Sequence, residues 1–102
     1  MKDAVTVKVV FSPVFRAIFH HREIDVVLAE REASVSGLLL QLSMASAGKI
    51  DKLVFEKKPD LISAALMIQV NDRTYTGNAL NRGPVPLGDR DIVSLLYYIS
   101  GG

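Results

Sequence analysis

The sequence predicts an α+β fold, a single mixed sheet of four to five strands with one main helix packed across one face. Three observations carry that prediction. Apolar residues recur at every second position in separated runs at residues 5–11, 24–28, 66–70 and 92–99, which is the period of a half-buried strand. A single stretch, after Ser34, repeats its apolar residues at helical spacing instead. The 102 residues are enough for one domain that buries about two thirds of its unfolded surface without covalent staples.

The first run is Val5-Thr6-Val7-Lys8-Val9-Val10-Phe11, which puts Val5, Val7, Val9 and Phe11 on a buried face and Thr6 and Lys8 outward. Ser12-Pro13 breaks it, and Val14 to Phe19 is short and aromatic, suited to a turn or two that caps one end of the core. Ile24, Val26 and Leu28 alternate with Asp25, Val27 and Ala29, giving a second strand near enough in sequence to pair antiparallel with the first. Glu30-Arg31-Glu32-Ala33 is a polar connection. Ser34 is an N-cap for the helix that carries Val35, Leu38, Leu39, Leu42 and Ala45, and Gly48 is where that helix should stop.

Residues 49–65 carry no single period. Leu53, Val54 and Phe55 suggest buried contacts, whereas Glu56-Lys57-Lys58-Pro59-Asp60 reads as an exposed turn. Alternation returns at Leu66 to Asn71, and Asn71-Asp72 turns the chain into the short strand Arg73-Thr74-Tyr75. Asn78 to Pro86 reads as loop, and Leu87-Gly88-Asp89-Arg90-Asp91 as a tight turn into the final strand, Ile92 to Ile99.

With a helix between them, the first and last strands are expected side by side and parallel, because such a pairing needs a crossover. The result is a ubiquitin-like β-grasp in one domain, residues 1–102, with a flexible Gly-Gly tail at 100–102. Its expected core is Val5, Val7, Val9, Ile24, Val26, Leu28, Leu38, Leu42, Ile68, Val70, Val93 and Leu95.

Composition narrows the chemistry. Twelve basic and eleven acidic residues leave a net charge of +1, which supplies no field of the kind nucleic-acid binding needs. There is no cysteine, and so no disulfide, thiolate metal site or cysteine nucleophile. No apolar run approaches the roughly 20 residues that span a bilayer, and Met1-Lys2-Asp3-Ala4 opens no signal peptide, so a cytoplasmic protein is expected. His20-His21 lacks a third ligand and reads as solvated rather than as a metal site. Lys57-Lys58, mixed with Glu56 and Asp60, reads as a solvated turn.

What remains is the end of the sequence, where a strongly strand-forming run leads through Ser100 into Gly101 and Gly102. Two residues without Cβ resist regular structure and thread a slot that would reject a side chain. An α-carboxylate there, with a reference pKa of about 3.5, is ionised at neutral pH and becomes an acyl donor only after another protein activates it. If Val93, Leu95, Tyr97 and Ile99 face the helix, strand parity sends Leu96 and Tyr98 to the opposite face, as a candidate partner surface near the tail.

The chain resembles the MoaD and ThiS family of sulfur carriers, more closely MoaD, over essentially its whole length. Three places carry the resemblance: Val7-Lys8-Val9-Val10-Phe11 with the Phe15-Arg16 turn; Leu66-Met67-Ile68-Gln69-Val70-Asn71; and Leu87-Gly88-Asp89-Arg90-Asp91-Ile92-Val93 with Gly101-Gly102 last. It departs from that pattern in a longer segment at 49–65 and in Tyr97-Tyr98, where some relatives place prolines.

The resemblance implies that Gly102 is adenylated by an E1-like enzyme, converted to a thiocarboxylate and used to donate sulfur to a cofactor precursor, with Gly101 needed for threading. It implies a carrier rather than an enzyme, with no cofactor of its own, ATP and a sulfur donor being used by the activating partner. The leading reading is the small subunit of molybdopterin synthase, partnered by the large subunit through Leu96, Tyr98 and Ser100. Tungstopterin, thiamine or another sulfur-containing product stays open, as do a ubiquitin-like modifier joined to lysines and a non-covalent binding domain.

Overall fold

The computed structural model describes residues 4–97. In chain order these form β1 (Ala4–Phe11), α1 (Pro13–Phe19), β2 (Glu23–Ala29), a 3-10 turn (Glu30–Glu32), α2 (Val35–Ala45), α3 (Asp51–Val54), β3 (Phe55–Lys57), β4 (Leu61–Ile62), β5 (Leu66–Val70), β6 (Arg73–Thr76), α4 (Gly77–Arg82) and β7 (Ile92–Tyr97).

Five strands make one mixed sheet in the order β2-β1-β7-β5-β6, and β3 with β4 makes a separate two-stranded ribbon. The parallel pair expected from the sequence is present: Val9 lies opposite Val93 and Phe11 opposite Leu95. Antiparallel partners flank it, with Val7 opposite Val26 on one side and Ile68 opposite Leu95 on the other. This is a β-grasp, with α2 supplying most of the helical side of the core.

Register follows from parity. Val7, Val9, Phe11, Val26, Leu28, Leu66, Ile68, Val70, Val93 and Leu95 are buried against Val35, Leu38, Leu39 and Leu42 of α2. Of the twelve expected core residues, Val5 and Ile24 are only half-buried; they sit at opposite ends of the pair formed with the edge strand β2, across from the buried Leu28 and Val9, and pack against the core from its margin. Ser34 caps α2 by accepting from the Gly37 N–H at 3.1 Å. The helix closes at Ala45, and Ala47 and Gly48 turn left-handed with φ of 54° and 80°. The Gly48 N–H then donates to the Ser43 carbonyl at 2.8 Å.

Two expectations need correction. Asn78 to Pro86 is not all loop, since Gly77–Arg82 is helical, capped by Thr76, whose hydroxyl accepts from the Ala79 N–H at 3.1 Å. A Cβ on Gly77 would collide with the Ser63 carbonyl, so the glycine is what lets α4 settle with Leu80 in the core. Nor is Lys58 merely solvated: its ammonium lies 3.2 Å from Asp51 Oδ2 and donates to Ser43 Oγ at 2.8 Å, tying the 49–65 segment back onto α2. Lys57 beside it is exposed, as expected.

Candidate functional site at the end of the last strand

β7 is the central strand of the sheet, hydrogen-bonded to β1 on one side and β5 on the other. Its start is fixed by side chains as well as by the ladder. Asn71 acts on Ile92 as a backbone mimic, since Asn71 Oδ1 accepts from the Ile92 N–H at 3.0 Å while the Asn71 N–H donates to the Ile92 carbonyl at 2.8 Å. Asp91 Oδ2 accepts from the Gly88 N–H at 2.7 Å, which closes the turn that the sequence suggested before this strand. Arg90, left-handed at φ 71°, donates its N–H to the Thr6 carbonyl at 2.7 Å and so seats that turn against β1.

At the other end, the Ser12 N–H donates to the Leu95 carbonyl at 3.1 Å, and Leu66 stands opposite Tyr97. The strand is therefore paired on both sides as far as Leu95 and on the β5 side as far as Tyr97. A central strand held in this way delivers whatever follows it from a fixed position on the surface.

Val93 and Leu95 are fully buried, so Ser94 and Leu96 point to the opposite face, and both are half-buried there. Register sets Met67 beside Leu96 and Gln69 beside Ser94 on that face, with Val10 next to Ser94 from β1. The sequence missed Met67 as a neighbour of Leu96. The parity of β5, in which Leu66, Ile68 and Val70 are inward, puts Met67 on the outer face, but only the pairing of β5 with β7 sets it beside Leu96. Ile92 and Val27 extend the apolar character of this face at 46% and 61% exposure. The Asn78–Pro86 segment does not cover Leu96, because α4 joins the core on the other side of the sheet through Leu80.

Tyr98, Ser100, Gly101 and Gly102, the other residues singled out from the sequence, lie outside the described residues. His20 and His21 are exposed, His20 in a left-handed conformation at the end of α1. Among the described residues no group of three His, Cys, Asp or Glu side chains could hold a metal ion. No helix among them is long and apolar enough to cross a membrane.

No family model matches the chain, and no curated protein matches it in sequence. Comparison with solved structures does find relatives in shape. The small archaeal modifier protein 1 of Methanosarcina acetivorans superposes with a TM-score of 0.75 at 22% identity, over 99% of this chain and 100% of that one. A putative molybdopterin converting factor, subunit 1, of Pyrococcus furiosus gives 0.69 at 24%, over 93% and 99%. A chain of the BexX/CysO complex of Amycolatopsis orientalis gives 0.64 at 19%, over 94% and 99%. At these identities what is shared is the fold, over at least 93% of this chain in each comparison.

Proposed function

We propose that this chain is a small sulfur carrier of the MoaD and ThiS kind, whose Gly102 carboxylate is the working group. The observation that supports the reading is a central strand, β7, paired on both sides and followed in the sequence by Gly101-Gly102, in a fold whose solved neighbours include a putative molybdopterin converting factor subunit and a small archaeal modifier.

The chemistry asks little of the carrier. A carboxylate oxygen of Gly102 attacks the α-phosphorus of ATP and pyrophosphate leaves. A persulfide sulfur then attacks the acyl carbon, and AMP departs with the C–O bond electrons. Reductive cleavage of the resulting S–S bond by a thiol frees a thiocarboxylate. ATP and sulfur donor belong to an E1-like adenylating enzyme, and catalysis to partners. That one structural neighbour comes from a two-protein complex accords with a carrier that works in partnership. Its finer assignment is to molybdopterin formation, with the synthase large subunit as acceptor of the charged carrier. A second reading, a modifier joined to lysines, is favoured by the name of the Methanosarcina neighbour and uses the same activated end.

Intact-mass measurement after incubation with the adenylating enzyme, ATP and a sulfur source tests the reading. Wild type should gain the mass difference between sulfur and oxygen, and a Gly102 deletion should not, with its thermal stability unchanged. Gly101→Ile should behave like the deletion, because a side chain obstructs threading. Lysine-linked conjugates in cell extract, without sulfur transfer to a pterin precursor, would select the modifier reading. On the outer face, Leu96→Asp should weaken partner binding by more than about 1 kcal/mol while the monomer stays folded. Unfolding of the monomer would instead make Leu96 a core residue.

A further inference from the structure

The end of the sheet at which β7 finishes is electrically unlike the other end. From Ser12 to Arg22 the chain carries Arg16, His20, His21 and Arg22 and no acidic residue. Hydrogen bonds bring this run against the end of β7. The Phe11 N–H donates to the Arg22 carbonyl at 2.9 Å, Arg16 Nε donates to the Phe11 carbonyl at 3.0 Å, and the next residue, Ser12, is bonded to Leu95. Phe11 thus holds the Arg16 side chain and the Arg22 backbone beside the strand that leads to the glycines, and both arginines are exposed.

The adjoining carboxylate, Glu23, lies 3.3 Å from the Lys8 ammonium and is offset by it. At the opposite end of β1 the acidic residues dominate: Glu30 and Glu32 in the turn after β2, with Asp89 and Asp91 before β7, against Arg31 and Arg90. The chain is nearly neutral in sum, yet the two ends of the β1–β7 pair carry charges of opposite bias.

We propose that Arg16 and Arg22, flanking the exposed His20 and His21, form a positive collar that docks on an acidic protein surface around the channel into which the Gly-Gly end is threaded. The inference rests on the carrier reading above. The occupant is a protein rather than a nucleic acid, because the cations occupy one end of a short domain and are opposed by acidic residues at the other. A duplex lying along the molecule would meet both. A dipole of this sense turns the reactive end toward an acidic mouth before contact, which raises the association rate and makes it depend on salt.

The test places one added negative charge at either end. Ala17 is exposed beside Arg16, and Ala4 is exposed at the far end of β1, so Ala17→Glu and Ala4→Glu have the same net charge and differ only in where it sits. Thiocarboxylation by the E1-like enzyme is followed at sub-saturating carrier, in low and in high salt. Ala17→Glu should slow the low-salt rate at least about fivefold, with the deficit closing in high salt, and Ala4→Glu should change it less than about twofold. Arg22→Gln, which keeps the backbone bond to Phe11, should repeat the slowing if Ala17→Glu unfolds.

Equal effects from the two ends, no effect from either, or a deficit that salt does not close would overturn the collar and leave the carrier reading intact. Binding of wild type to duplex DNA that Ala17→Glu abolishes would overturn the choice of a protein partner. Failure of wild type to be charged at all would remove the carrier reading and the collar with it.

Discussion

The half of the molecule built from β1, β2, β7 and α2 and the half running through Lys49–Ser63 and Gly77–Arg82 are placed by different forces. In the first, long elements bury one whole face each, and Val7, Val9, Leu38, Leu39, Leu42, Val93 and Leu95 are removed from water completely. In the second, elements of two to six residues contribute one or two buried side chains apiece, among them Val54, Phe55, Ile62 and Leu80. Specific polar contacts do the rest. Asn81 accepts from the Ile62 N–H at 2.8 Å and donates to the Ile62 carbonyl at 2.9 Å, which docks β4 on α4 as an extra strand would. Ser43, Asp51 and Lys58 close a second such contact. Burial is non-directional and spread over many residues, whereas a clasp of this kind is directional and rests on one or two.

The largest effect should come from the first half. Leu95→Ala removes a fully buried side chain from the strand shared by β1 and β5, at a cost of about 2–5 kcal/mol in urea unfolding. Asn81→Ala should cost less, about 1–2 kcal/mol, since it orphans one amide and one carbonyl of Ile62 that water reaches in part. It should also raise amide exchange at Ile62 and leave Val9 and Val93 protected. If Asn81→Ala matched Leu95→Ala in cost and loosened both halves alike, the distinction between them would fail.

The same contrast governs what the sequence reveals. Period-two and helical spacing are signatures of faces buried over several consecutive residues, so β1, β2, β5, β7 and α2 were all readable, including the parallel pairing of first and last strands. The clasps leave no period. Asn81 sits in Gly77-Asn78-Ala79-Leu80-Asn81-Arg82-Gly83-Pro84, a string that reads as loop, and its partner is the backbone of a residue 19 positions earlier. The available sign was Thr76 followed three residues later by Ala79, an N-cap without a long apolar stripe behind it. The candidate site divides likewise. Leu96 was placed on the outer face by parity alone, but Met67 beside it and the two arginines at the strand's end depend on which strands pair, and that is a tertiary fact.

The smallest expected effect belongs to Asp51. Its carboxyl is held below the ordinary value of 3.8, chiefly by the Ser43 hydroxyl that donates to Oδ1 at 2.6 Å; desolvation opposes this, and the Lys58 ammonium adds to the lowering. A carboxyl whose folded pKa lies below its unfolded one stabilises the fold fully above the unfolded value. That contribution is lost as pH falls through the folded one. The window therefore lies below about pH 4. Because both partners are partly exposed, with 45% of the Lys58 side chain and 29% of the Asp51 side chain accessible, the contribution should stay under about 1 kcal/mol and shrink in high salt. Asp51→Asn keeps an acceptor for Ser43 and removes the charge. Wild type should accordingly be slightly more stable than Asp51→Asn at pH 6 and indistinguishable from it near pH 2, by thermal unfolding in low salt. A difference that persisted at pH 2 would assign the role of Asp51 to packing, and the 49–65 segment would then be held as the rest of the core is.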